Sequence, residues 1–182
     1  MLEGKQIYRE TSEIKLSWDT PLPEEIAKQW LKWEKNASDD VYFPHTLVQY
    51  QEPIDNIKFL AFGDASIHGM FAAVYAVVTQ ASGVTQGLIA AKSCLAKKSL
   101  TIPRLELVSG HITVNLTTNV RVALEGFSMT KDIQCWLDST VALHWLNDDG
   151  EYRQFVANRV KKIQSHPNTQ WRHVPTSENP AD

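Results

Sequence analysis

Cysteine is scarce. Only Cys94 and Cys135 occur in 182 residues. Two isolated thiols read as small buried apolar residues rather than half-cystines, which suits a reducing compartment. No Cys-x-x-Cys and no His-x-x-x-His pair is present, so no zinc site is expected. Long apolar runs are missing too. No stretch of about 18 apolar residues occurs, so no membrane span is expected. The opening Met-Leu-Glu-Gly-Lys has no apolar core of a secretion signal. Nor is there an excess of positive charge: 18 Lys and Arg stand against 21 Asp and Glu, a net of −3. Taken whole, that balance argues against a nucleic-acid partner.

The distribution of charge reverses that inference. Residues 1–56 hold 6 Lys/Arg and 11 Asp/Glu, leaving 12 and 10 for residues 57–182. If four of those ten acids hold cations, the remaining surface is basic, as phosphate binding requires. With 43% hydrophobic and 21% charged residues, the chain has the composition of a globular protein with a full core.

Residues 1–20 are polar and mixed, with an isolated Trp18. A helix is expected from Glu24 to about Lys35, with Ile26, Trp30 and Trp33 on one face. Those tryptophans suit either a partner's surface or this chain's own core. Residues 36–56 read as a linker. Strands are expected over Ile57–Asp64, Phe71–Thr79 and Gly83–Ala91, then a Lys-rich loop. Pro103 fits the first turn of a long helix, with Leu105, Val108, Ile112, Leu116, Val120 and Ala123 as its apolar stripe. A strand over Asp132–Asp138 and a short helix through Asn147, capped by Asp138 or Ser139, come next. A helix from Glu151 to about Ser165 and a strand over Thr169–Val174 complete the order. Three meandering strands followed by βα alternation imply an α/β fold: a mixed five-stranded sheet flanked by helices.

Four carboxylates stand out: Asp64 in Phe-Gly-Asp-Ala-Ser, Glu106 in Pro-Arg-Leu-Glu-Leu, Asp138 in Trp-Leu-Asp-Ser-Thr and Asp182 in Asn-Pro-Ala-Asp. The first three lie at or inside apolar elements, where a carboxylate is costly without a compensating charge. Such acids on rigid elements suit hard divalent cations. Alone, each has a plainer reading, a turn cap for Asp138 and a solvated helix face for Glu106.

The order of these motifs resembles ribonuclease H. More narrowly, Leu-Thr-Ile-Pro-Arg-Leu-Glu-Leu (100–107), Phe-Val-Ala-Asn-Arg-Val (155–160) and Trp-Arg-His-Val-Pro…Asn-Pro-Ala-Asp (171–182) are similar to the ribonuclease H region of BEL/Pao-type LTR retrotransposon polyproteins. The resemblance covers about residues 57–182, and residues 1–56 look like the connection that follows the reverse transcriptase core. It implies an RNase H-like fold and hydrolysis of the RNA strand of RNA–DNA hybrids, leaving 5′-phosphate ends. It further implies two Mg²⁺ ions, replaceable by Mn²⁺, held by Asp64, Glu106, Asp138 and Asp182 as catalytic ligands. Its partners would be the hybrid and the reverse transcriptase domain of the same polyprotein, with no membrane. Its setting would be a cytoplasmic virus-like particle or the nucleus.

Two departures follow from the same resemblance. Many ribonucleases H carry a histidine in the loop before the last acid, and Pro175–Pro180 has none. His173 lies in the expected strand, where a structural role is the plainer one. The resemblance also implies a helix after the last acid, and with the sequence stopping at Asp182 this acid is expected to be the least anchored ligand. For nucleic-acid contact the candidates are Ser66, Lys92, Lys97, Lys98, Arg104 and Ser139, with backbone capping the alternative for the two serines. Arg153, Arg159, Lys161 and Lys162 fit phosphate contact or a solvated helix face. Three other functions compete. One is a catalytically weak or inactive RNase H-like module that positions nucleic acid for a reverse transcriptase. Another is an aspartic protease, disfavoured because no Gly follows Leu-Asp-Ser-Thr. The last is a strand-transfer enzyme, disfavoured by the spacing of the acids.

Overall fold

The computed structural model describes residues 2–37, 47–129, 133–148 and 150–182. The chain forms two compact units, Met1–Pro44 and His45–Asp182. In the first, helices α1 (Leu2–Glu13) and α2 (Glu24–Ala37) pair. Helix α1 was not expected from its mixed sequence. It is held where Gly4 lets the Trp33 indole lie against it, since a Cβ at Gly4 would come 2.7 Å from Trp33 Cζ2. Tyr8 meets Trp30 edge-on, and Trp30 lies 5.0 Å from Trp33. The tryptophans of α2 thus pack on the first helix, while Trp18 is fully exposed.

The second unit is built on five strands: β1 (Asn56–Ala65), β2 (Gly69–Gln80), β3 (Gly83–Leu95), β4 (Ile133–Leu137) and β5 (Thr169–His173). Their order is β3-β2-β1-β4-β5. Strands β1 to β3 run antiparallel, and β4 and β5 run parallel to β1. This is the expected mixed sheet, with β1 in the middle. Strand β3 runs four residues beyond the expected end, because Gly69–Ala72 of β2 pair with Lys92–Leu95. Part of the expected linker is not loose: Gln80 Nε2 donates to the carbonyls of Tyr50 and Glu52 at 3.0 and 2.9 Å. Positions 38–46 of that linker, and Asp132 at the expected start of β4, lie outside the described residues.

Helices α3 (Ile102–Ala123), α4 (Thr140–Asn147) and α5 (Gln154–Gln164) follow the expected order. Helix α5 starts three residues later than expected. Side chains alternate across β1, so Phe59 and Ala61 pack with Val74 and Cys135 toward Leu116 and Val120 of α3. On the other face Phe62 stacks on Trp136 at 5.0 Å and meets Tyr75 edge-on. Cys135 is fully buried and Cys94 half-buried, both as free thiols.

The expected stripe on α3 is only partly the buried one. Val108, Ile112, Leu116 and Val120 are half-buried and Ala123 is exposed. The buried arc runs instead through Ser109, Gly110, Thr113, Val114 and Thr117. The cause is close approach. A Cβ on Gly63 of β1 would sit 2.7 Å from Thr113 Oγ1 and 2.8 Å from Leu137 Cδ2, so only small side chains fit. Their hydroxyls are satisfied within the helix: Ser109, Thr113 and Thr117 donate to carbonyls three or four residues back at 2.8–2.9 Å, which removes the cost of burying them.

Candidate metal centre

Asp64 lies one residue from the end of the central strand, and Asp138 directly follows β4, its parallel neighbour. Carboxyl ends of such strands are where open α/β sheets gather ligands. Thr101 and Pro103 start α3 beside them, and Glu106 follows one turn later. Because Gly63 admits α3 so closely, the Glu106 carboxylate reaches the strand, where its Oε1 accepts from the Ala65 N–H at 3.2 Å. Asp64, Glu106 and Asp138 each offer an oxygen within 4.8 Å of the others.

The electrostatics of this cluster are unfavourable without a cation. Asp64 and Glu106 are buried. Burial, then the charges of Asp138 and Asp182, push Asp64 up to about 6, against the Ala65 N–H. Burial, then Asp138 and Asp64, push Glu106 up to about 8. Among the described residues, no cationic side chain is one of the groups acting on either acid. Glu106 Oε2 and Asp138 Oδ1 are buried without a hydrogen-bond partner among the described residues. Buried acceptors are normally satisfied. Two orphan carboxylate oxygens among three converging acids therefore fit a hard divalent cation, which favours oxygen ligands and reverses the pKa penalty.

The fourth acid stands apart. Asp182 is exposed and outside the 4.8 Å cluster, though close enough for its charge to raise Asp64. Ser66 and Ser139 serve the backbone: Ser66 Oγ accepts from the His68 and Gly69 N–H groups in the β1–β2 turn, and Ser139 Oγ caps α4 by accepting from Ala142. Lys92 is exposed on β3, and Lys97 and Lys98 are exposed in the following loop. Arg104 and Arg159 each lie 5.4 Å from the Phe155 ring centroid. His173 is exposed at the end of β5. Sequence reasoning passed over Thr176 and Asn179. Thr176 Oγ1 donates to Asp138 Oδ2 at 2.9 Å, and the Asn179 side chain is buried against β1. The only sequence signal for them was the polar turn preceding Asp182.

A family model, the Pao retrotransposon-like RNaseH-like domain, matches residues 1–139. The chain belongs to this family. The match spans the α1–α2 unit as well as Asp64, Glu106 and Asp138, and ends before Asp182. Among solved structures, the chain is similar to the foamy viral protease-reverse transcriptase dRH in complex with ds DNA. Identity is 15% and the TM-score 0.56, over 94% of this chain and 28% of that one. A foamy viral protease-reverse transcriptase in complex with dsDNA gives 14% identity and a TM-score of 0.52, over 86% and 30%. RNase H1 from the archaeon Halobacterium salinarum gives 16% and 0.45, over 69% and 90%. The chain thus spans under a third of the foamy viral chains it matches. No curated protein sequence matches it. The Pao-family chain has an RNase H-like fold bearing an acidic triad suited to divalent metal.

Proposed function

We propose that this domain is a metal-dependent endonuclease that hydrolyses the RNA strand of RNA–DNA hybrids during retrotransposon reverse transcription. The observation that carries the proposal is the convergence of Asp64, Glu106 and Asp138 with two buried carboxylate oxygens left unpaired. Two Mg²⁺ ions, for which Mn²⁺ substitutes, would activate water and offset charge on the leaving 3′ oxygen. In this proposal Asp64, Glu106, Asp138 and Asp182 would hold the ions, with Asp64 serving both, Glu106 and Asp138 serving the leaving-group side and Asp182 serving the activation of water. Ser66, Lys92, Lys97, Lys98, Arg104 and Ser139 lie on elements that flank or lead to the triad and would meet the hybrid's backbone. RNA would be told from DNA through its 2′-hydroxyls, and backbone and shape would be read rather than sequence. The hybrid would come from the reverse transcriptase domain of the same polyprotein, in a particle in the cytoplasm or in the nucleus. Residues 1–56 would act as its connection and residues 57–182 as the nuclease.

A second reading is a module that positions nucleic acid without cutting it. The observation favouring it is the exposed Asp182 outside the cluster. One experiment decides. The protein is incubated with labelled RNA–DNA hybrid, single-stranded RNA and duplex DNA in Mg²⁺ or Mn²⁺. Cleavage of the hybrid's RNA alone, lost in Asp64→Asn, supports the nuclease. Hybrid binding without cleavage, indifferent to that substitution, supports the positioning module.

A further inference from the structure

The turn between β5 and Asp182 is tied down at two points that lie beside the acids. Thr176, exposed at the start of a 3-10 turn (Thr176–Glu178), donates its hydroxyl to Asp138 Oδ2 at 2.9 Å. The other oxygen, Asp138 Oδ1, is buried and has no partner among the described residues. Three residues on, the buried Asn179 amide joins two elements. Its Nδ2 donates to the carbonyl of Gly63, the residue before Asp64, at 3.0 Å. Its Oδ1 accepts from the Ala181 N–H at 3.1 Å, and its own carbonyl accepts from the Asp182 N–H at 3.1 Å.

Burying a side-chain amide is costly unless both ends are bonded. In Asn179 both ends are used, one on the central strand and one on the peptide next to Asp182. The turn that carries the fourth acid is therefore locked to the backbone adjoining the first. A carboxylate with one oxygen held by a hydroxyl is oriented so that its other oxygen is the freer one for a cation. Groups that bond to a metal's ligands in this way orient them and raise affinity.

We propose that Thr176 and Asn179 are positioning residues of the metal centre. Thr176 orients the Asp138 carboxylate so that Oδ1 is the freer oxygen for a cation. Asn179 latches the turn to β1 so that Asp182 stays beside Asp64. The inference rests on the metal-centre reading above and assigns a task to two residues outside the acidic triad.

The test is Mn²⁺ binding to the full chain by titration calorimetry, with unfolding temperatures measured in EDTA. Thr176→Val is expected to weaken Mn²⁺ binding about tenfold or more. Thr176→Ser, which keeps the hydroxyl, is expected to bind within about twofold of the unsubstituted protein. Neither is expected to change the unfolding temperature in EDTA, because Thr176 is exposed. These variants keep the test decisive even if loss of Asn179 prevents folding. Asn179→Ala and Asp182→Asn are each expected to weaken binding, and the double variant to bind no worse than Asp182→Asn alone. Unchanged binding in Thr176→Val would overturn the role given to Thr176, and additive losses in the Asn179 and Asp182 pair would overturn the latch. An unsubstituted protein that binds no Mn²⁺ overturns the metal centre itself, a different and separable result.

Discussion

Replacing Gly63 by Ala tests what brings Glu106 to the strand. The added Cβ would meet Thr113 Oγ1 at 2.7 Å, Leu137 Cδ2 at 2.8 Å and Ser109 Oγ at 3.2 Å. Distances below 3 Å must be relieved. The Leu137 methyl can swing, but Thr113 and Ser109 are fixed by bonds to their own helix, so α3 has to retreat. Overpacking of this kind costs about 1–3 kcal/mol. For a unit of this size that lowers the melting temperature by roughly 3–10 °C. Retreat of α3 also lengthens the Ala65–Glu106 hydrogen bond of 3.2 Å and draws Glu106 away from Asp64, so Mn²⁺ affinity should fall along with stability. Thr113→Ala removes the nearest obstacle. Alone it should cost about 1 kcal/mol through the lost hydroxyl bond. Combined with Gly63→Ala it should restore part of the loss, giving a sub-additive pair in urea unfolding. Additivity within about 0.5 kcal/mol, or a Gly63→Ala protein as stable as the unsubstituted one, would refute close approach as the reason for the buried polar arc.

Three further outcomes follow from the charge and burial of the chain. Asp64 and Glu106 have folded-state pKa values near 6 and 8, above their ordinary 3.8 and 4.5. Their contribution to stability is therefore full below about pH 4 and is lost as pH rises through 6 and 8. Thermal unfolding should show more stabilisation by Mg²⁺ at pH 8.5 than at pH 5.5, and an equal gain at both would count against these shifts. Asp64→Asn removes one of the repelling charges, so in EDTA at pH 8 it should stabilise the protein by on the order of 1–2 kcal/mol while abolishing Mg²⁺-induced stabilisation. A drop in unfolding temperature in EDTA would contradict that. Cys135 is fully buried, and burial pushes its thiol well above the usual range. A thiol reagent should modify Cys94 in the native protein and Cys135 only after unfolding, a sequence of events that mass spectrometry can follow.

Much of this molecule was legible in one dimension. The five strands and the helices of the sheet unit follow from apolar periodicity and punctuation by Gly, Pro and Asn. Three of the four acids could be picked out because a carboxylate inside an apolar run is conspicuous. Pro103 marked the start of the helix that carries Glu106. Residues 2–13 gave no such signal, since α1 depends on the Trp33 ring that lies against Gly4. The end of β3 was equally hidden, because Lys92 and Ser93 are held by pairing with Ala72 and Phe71 rather than by their own preference.

What the local sequence determined, then, was the order of elements and the identity of the acids, because periodicity and misplaced charge are properties of short windows. What only the tertiary structure decided was which surfaces meet. The buried arc of α3 carries small side chains at Ser109 and Thr113 because Gly63, some fifty positions earlier, lies too close to admit larger ones. Thr176 and Asn179 acquire their partners from Asp138 and Gly63, 38 and 116 residues away. Asp64, Glu106 and Asp138 become one cluster only when parallel pairing of β1 with β4 and the seating of α3 bring them together. Long-range packing decides such proximities, and no window of the sequence contains it.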